Sequence, residues 1–104
     1  MGIVDIKNNI QKILDDNKAL NITCIDLKNK SYIADYMVIA SGTSSRHLQS
    51  LSENLVSELK KIGLNDCRIE GRESSEWKLV DTNYIIVHIS VSYTHLTLPT
   101  KRIV

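Results

Sequence analysis

The sequence predicts an α/β domain: a mixed β-sheet of about five strands with two helices packed against it, in the order α-β-β-α-β-β-β. Three observations predict it. Two segments place apolar residues at three- and four-residue steps, the helical period. Five shorter segments alternate apolar with polar residues or run apolar, as strands do. In the middle of the chain a strand, a helix and a strand follow one another, the order of a crossover connection.

The first helix comes from Ile3, Ile6, Ile10, Ile13 and Leu14, and Asp15, Asp16 and Asn17 end it. From Leu20 the period changes to two. Leu20, Ile22 and Cys24 fall on one face and Ile25 and Leu27 on the other, so this strand is expected to be buried on much of both sides. Lys28-Asn29-Lys30 is a turn, and so short a connection pairs the strand antiparallel with a second one running to about Ala40. Ser44 or Ser45 then caps the next helix by accepting from an orphan N–H of its first turn. Leu48, Leu51, Leu55, Leu59 and Ile62 form the buried stripe of that helix. Gly63, just past Lys60 and Lys61, stands where a left-handed residue closes a helix. Cys67 to Glu70 is a short third strand, expected to run parallel to the second through a right-handed crossover. After a charged loop (71–76), Trp77 to Asp81 and Tyr84 to Ile89 flank Thr82-Asn83 as a second antiparallel hairpin.

Composition narrows the function classes. The 104 residues make one domain, and 42% hydrophobic residues supply one core, built from Ile, Leu and Val because Phe is absent. Thirteen basic against 12 acidic residues leave a net charge of +1, so no basic excess supports general nucleic-acid binding. No apolar run approaches a membrane span and no charged-then-apolar leader opens the chain, which points to the cytoplasm. Cys24 and Cys67 have neither Cys-x-x-Cys spacing nor a His nearby in sequence. They read as buried reduced thiols, with a disulfide or a metal site as the other readings.

The turn Ser41-Gly42-Thr43-Ser44-Ser45 is the first candidate site, because N–H groups at a helix start attract anions and hydroxyls add donors. A Walker-type phosphate loop needs more glycines and a Lys-Ser/Thr pair. A nucleotidyltransferase needs paired carboxylates two residues apart after its Gly-Ser turn to hold Mg²⁺, and none follows Gly42. Helix capping is the competing reading. His47 and His88 could serve a nucleophilic Ser, but His47 reads more simply as a surface or supporting residue and His88 as a satisfied core histidine. Asp35 either pairs with Arg46 or caps a turn. Trp77 is either a core residue or an exposed anchor, since Trp and Arg are enriched at binding hot spots. Asp81 is either a turn former or an interface residue.

The fifteen residues 33–47, Ile-Ala-Asp-Tyr-Met-Val-Ile-Ala-Ser-Gly-Thr-Ser-Ser-Arg-His, resemble the signature of the ribosomal silencing factor family, also called Iojap or RsfS. The likeness extends upstream through Asp26-Leu-Lys and downstream through Glu70-Gly71, Trp77-Lys-Leu-Val-Asp81 and Val87-His88, covering about residues 3 to 90. It implies a binding protein rather than an enzyme, with no cofactor or metal. The implied fold is nucleotidyltransferase-like with its catalytic carboxylates missing. The implied partner is ribosomal protein uL14 on the large subunit, where occupancy blocks joining of the small subunit and represses translation. A homodimer is implied for the free protein. Carried over by position, Trp77 and the hairpin around Asp81 belong to the uL14-facing surface, with Arg72 and Lys78 as neighbours. Asp35, Tyr36, Ser41, Gly42, Thr43, Ser44, Ser45, Arg46 and His47 form a structural signature turn. A nucleotide-binding or nucleotidyltransferase-like enzyme using the Ser41–Ser45 turn, and a large-subunit assembly factor, are the alternatives.

Two departures accompany the likeness. Thr82-Asn83 stand where the family usually carries Tyr-Gly. From Val91 the chain carries no Asp or Glu and the only Pro, and it lacks the family's His-Pro-Glu-like stretch and Leu-Glu-x-Leu-Trp ending. Tyr93, His95, Thr97 and Pro99 alternate with Thr94, Leu96 and Leu98, which fits an edge strand. The segment 91–104 reads equally as an artefactual tail after a silencing-factor domain over 1–90. On that reading a covering helix is missing, and lower stability, altered dimerisation or weaker uL14 binding is expected.

Overall fold

The computed structural model describes residues 2–29 and 34–92, so the alternation read at 93–99 lies outside the described residues. Seven elements follow in the predicted order: α1 (Ile3–Asp16), β1 (Leu20–Asp26), β2 (Tyr36–Gly42), α2 (Ser45–Lys61), β3 (Arg68–Glu70), β4 (Trp77–Asp81) and β5 (Ile85–Val91). The five strands form one mixed sheet in the order β1-β2-β5-β4-β3.

Both helices pack on one face. Ile6, Ile10 and Leu14 of α1 and Leu48, Leu51, Leu55 and Leu59 of α2 meet Val38, Ala40, Val80, Ile85, Val87 and Ile89 in a single core. Burying each such side chain contributes roughly 1.5–3 kcal/mol, so this layer is the main support of the fold. Ile62 falls off the expected stripe, 38% exposed, because the helix has ended one residue earlier. Gly63 takes the left-handed conformation at φ 102°, and Ser44, not Ser45, caps α2 by accepting from the His47 N–H at 3.1 Å.

The parallel sense of β2 and β3 holds without adjacency, and two other expectations are corrected. β5 pairs parallel with β2, and β4 pairs antiparallel with both β5 and β3, so the C-terminal hairpin fills the space the crossover leaves. β1 is an edge strand with one layer against it, not a strand buried on both sides. Asn21 at φ 52° breaks the register between Leu20 and Thr23, which turns Leu20 out while Ile22 and Cys24 still pack on the core. Asp35 does not pair with Arg46, because the seven residues of β2, roughly 23 Å of strand, lie between them. Its N–H instead donates to the Tyr84 carbonyl and its own carbonyl accepts from Leu27, both at 2.8 Å.

Cys24 and Cys67 are free and half-buried, one on each edge of the sheet. Burial pushes both thiols up from the ordinary 9.0. Lys7 opposes the rise at Cys24, while Asp66 and Asp81 add to it at Cys67.

Candidate functional site

The signature residues divide between the two ends of β2. At its start Tyr36 is buried, with the Lys7 and Lys28 ammonium groups 5.3 and 4.9 Å from the ring centroid. A hydrogen bond to Tyr36, helped by its charge, raises the Lys28 pKa above 10.5. At the other end, Ser41 and Gly42 close β2 and the turn enters α2.

That turn is occupied by its own bonding. Ser44 Oγ is the helix cap. His47 Nδ1 accepts from the Thr43 N–H at 3.0 Å, with Thr43 Oγ1 at 3.3 Å, and Nε2 lies 2.8 Å from the Asn17 carbonyl. A backbone N–H only donates and a carbonyl only accepts, so the imidazole carries its proton on Nε2. Asn17 also accepts at Oδ1 from Asn54 Nδ2 at 2.9 Å and donates from Nδ2 to the Ile13 carbonyl at 2.7 Å. His47 therefore fastens the end of α1 to the start of α2, a tie thirty residues long in sequence that local reading misses.

The C-terminal hairpin contributes to the other face of the sheet, on which no helix packs among the described residues. Strand pairing lays it out in rows: Trp77, Ser90 and Ser41; then Leu79, His88, Ile39 and Thr23; then Asp81, Ile86, Met37 and Ile25. Trp77 is 41% exposed, which settles its location in favour of the exposed reading. His88 is not a core histidine. Strand alternation puts it on this open face, where its ring stacks on Trp77 with centroids 6.5 Å apart and planes 16° from parallel.

Lys78 points the opposite way, to the helix side. It is 5% exposed, and its ammonium donates to the carbonyls of Gly71 (2.9 Å), Arg72 (2.7 Å) and Ser74 (2.7 Å). All three ammonium donors are thus used in shaping the 71–76 loop. Ser74 Oγ adds bonds from the N–H groups of Glu76 and Trp77. Arg72 rides exposed on that loop, above a groove shared with Ser45, Arg46 and Gln49 of α2. A second, shallower depression runs from Arg72 and Glu70 to Trp77. The turn and the loop thus meet at one end of the sheet, a juxtaposition that residue spacing does not announce. Asp81 lies at the other end of β4, where Oδ1 accepts from the Asn83 N–H at 2.8 Å and holds the hairpin turn, with Asn83 left-handed at φ 77°. Among the described residues no group of three His, Cys, Asp or Glu side chains is placed to hold a metal ion.

Residues 3–92 match the family model described as "Ribosomal silencing factor during starvation". A protein named ribosomal silencing factor RsfS from Zymomonas mobilis is 45% identical over 76 residues, which are 73% of this chain and 57% of that protein. Its namesake from Haemophilus influenzae is 39% identical over 80 residues, 77% of this chain and 78% of that one. A crystal structure of a Chromobacterium violaceum protein matches with a TM-score of 0.83 at 32% identity, covering 88% of this chain and 76% of the other. The chain thus spans little more than half the length of the Zymomonas relative. The two named relatives carry the name of a silencing factor, not of an enzyme.

Proposed function

This chain belongs to the ribosomal silencing factor family, and from that premise we propose that it is a translational repressor. It binds ribosomal protein uL14 on the large subunit and blocks association with the small subunit by occupying the surface where they join. The reading takes the chain as a cytoplasmic regulator without catalytic residues or cofactor, homodimeric when free. The observation that carries the site is Trp77, the only Trp of the chain, held half-exposed beside half-buried apolar residues on the sheet face that no helix covers among the described residues. An aromatic ring so placed is the kind of residue whose desolvation dominates binding energy. Arg72 lies beside it on the adjoining loop and Asp81 at the far end of β4, and Lys78 contributes indirectly, through the loop its ammonium shapes.

The test is co-sedimentation of the chain with purified large subunits, wild type against Trp77→Ala. The exposed ring contributes little to the core, so far-UV circular dichroism should be unchanged while binding falls at least tenfold, about 1.4 kcal/mol. Undiminished co-sedimentation would remove Trp77 from the site. Heat evolved on titration with Mg²⁺-ATP or Mg²⁺-CTP would favour the nucleotide-handling alternative. That reading is disfavoured here because the hydroxyl of Ser44 and the N–H of Thr43 are already spent on the helix start.

A further inference from the structure

We infer that His88 and Gly71 are positioning residues that preset the Trp77 indole as a rigid anchor, so that partner binding has little ordering left to do; the inference rests on Trp77 being the partner-contacting residue. Three observations on two sides of the ring carry it. On the sheet, His88 lies one row along on the neighbouring strand and stacks on the indole at 6.5 Å and 16°. Beyond the strand end, the benzo edge of the indole rests against the backbone of Gly71. A Cβ added there would stand 2.7 Å from Trp77 Cζ3, closer than carbon atoms approach. Gly71 also takes φ 75°, a conformation that other residues adopt at a cost.

The support continues behind the glycine. The Gly71 carbonyl is one of the three held by the buried Lys78 ammonium, so the surface under the ring is itself fixed. The backbone N–H of Trp77 donates to Ser74 Oγ at 3.2 Å in the same loop, which fixes the residue's main chain. A side chain left to rotate would lose roughly 0.5–1.5 kcal/mol of rotamer freedom on being immobilised at an interface, and a preset one has lost it already. Offset aromatic pairs add an interaction of similar size.

The sole tryptophan makes the idea directly measurable, because fluorescence excited at the red edge, where the four tyrosines do not absorb, reports this ring alone. Time-resolved anisotropy and large-subunit co-sedimentation are measured together on wild type, His88→Ala, His88→Phe and Gly71→Ala. His88→Ala should add a sub-nanosecond anisotropy component and weaken binding roughly two- to tenfold. His88→Phe, which keeps a ring to stack on, should restore both. Gly71→Ala should displace the ring and shift its emission. If His88→Ala leaves the anisotropy decay unchanged, or frees the ring without weakening binding, the inference is overturned. Failure of the underlying site looks different: Trp77→Ala then binds as wild type, whatever the anisotropy shows.

Discussion

Lys78→Met isolates the buried ammonium, because Met keeps most of the aliphatic stem and removes only the charged head. Lys78 is 5% exposed and donates three bonds of 2.7–2.9 Å to carbonyls within a four-residue stretch of one loop. A hydrogen bond to a charged group contributes about 1.5–3 kcal/mol to stability. Three would sum well above the observed range for single substitutions, and two effects reduce the total. Gly71 and Ser74 are half-buried and Arg72 is exposed, so water reaches part of what the ammonium leaves. Removing the head also removes the cost of burying a charge. A net loss of about 2–4 kcal/mol remains, a large share of the 5–15 kcal/mol typical of a domain. For a chain of this length it should lower Tm by roughly 10–25 °C. Urea unfolding followed by far-UV circular dichroism measures the loss, and Trp77 emission should shift to the red as the loop loosens beneath it. A variant within about 0.5 kcal/mol of wild type with unshifted emission would refute the assignment, since surface substitutions change stability by no more than that.

Two further outcomes follow from the fold. Ser44→Ala removes the side-chain acceptor for the His47 N–H and should cost about 1 kcal/mol in the same unfolding assay, with Ser45→Ala near neutral because Ser45 is not the cap. Burial raises both thiols, so Cys24 and Cys67 stay neutral to higher pH in the folded chain than in the unfolded one. Their stabilising contribution is complete below the unfolded value of 9.0 and is lost as pH rises through the folded one. Thiol-reagent labelling at pH 7.5 should therefore be slow in buffer and fast in urea, and equal rates would show that the fold does not protect them.

The elements were legible because their signals are local. Periods of 3.6 and two, a hydroxyl cap at Ser44 or Ser45 and the left-handed Gly63 are each set by a few consecutive residues. What the sequence withheld is pairing across distance. Nothing in the alternation of β5 says that it inserts between β2 and β4, and that one choice separates β2 from β3. The period of two in β1 gives its faces but not whether a second layer covers them, so an edge strand passes for a buried one. At the site, Lys78 was legible only as a charge beside Trp77. In a strand, neighbours point to opposite faces, and the loop that encloses its ammonium gives no signal of doing so. His47 and His88 likewise take their roles from partners thirty and eleven residues away.

The dimensions of the open face bear on how a partner would use it. Five strands about 4.8 Å apart, with the longest about 23 Å, give a flat footprint of roughly 400–500 Å² once the short β3 and β4 are allowed for. A stable protein–protein contact usually covers about 800 Å² on each partner. That figure counts accessible surface, which exceeds a projected footprint, but Trp77 begins β4, so a partner centred on it also reaches past the end of the strands. The surface it meets there is the 71–76 loop with Arg72, and across the groove Ser45 and Arg46 of the signature turn. On the proposed reading the turn offers its far side to the partner, while its hydroxyl and imidazole groups hold the helices together. Arg46→Glu should accordingly weaken large-subunit binding without loss of stability, whereas Lys60→Glu should leave binding unchanged and cost about 0.3–1 kcal/mol of stability, because it puts a negative charge in the last turn of α2.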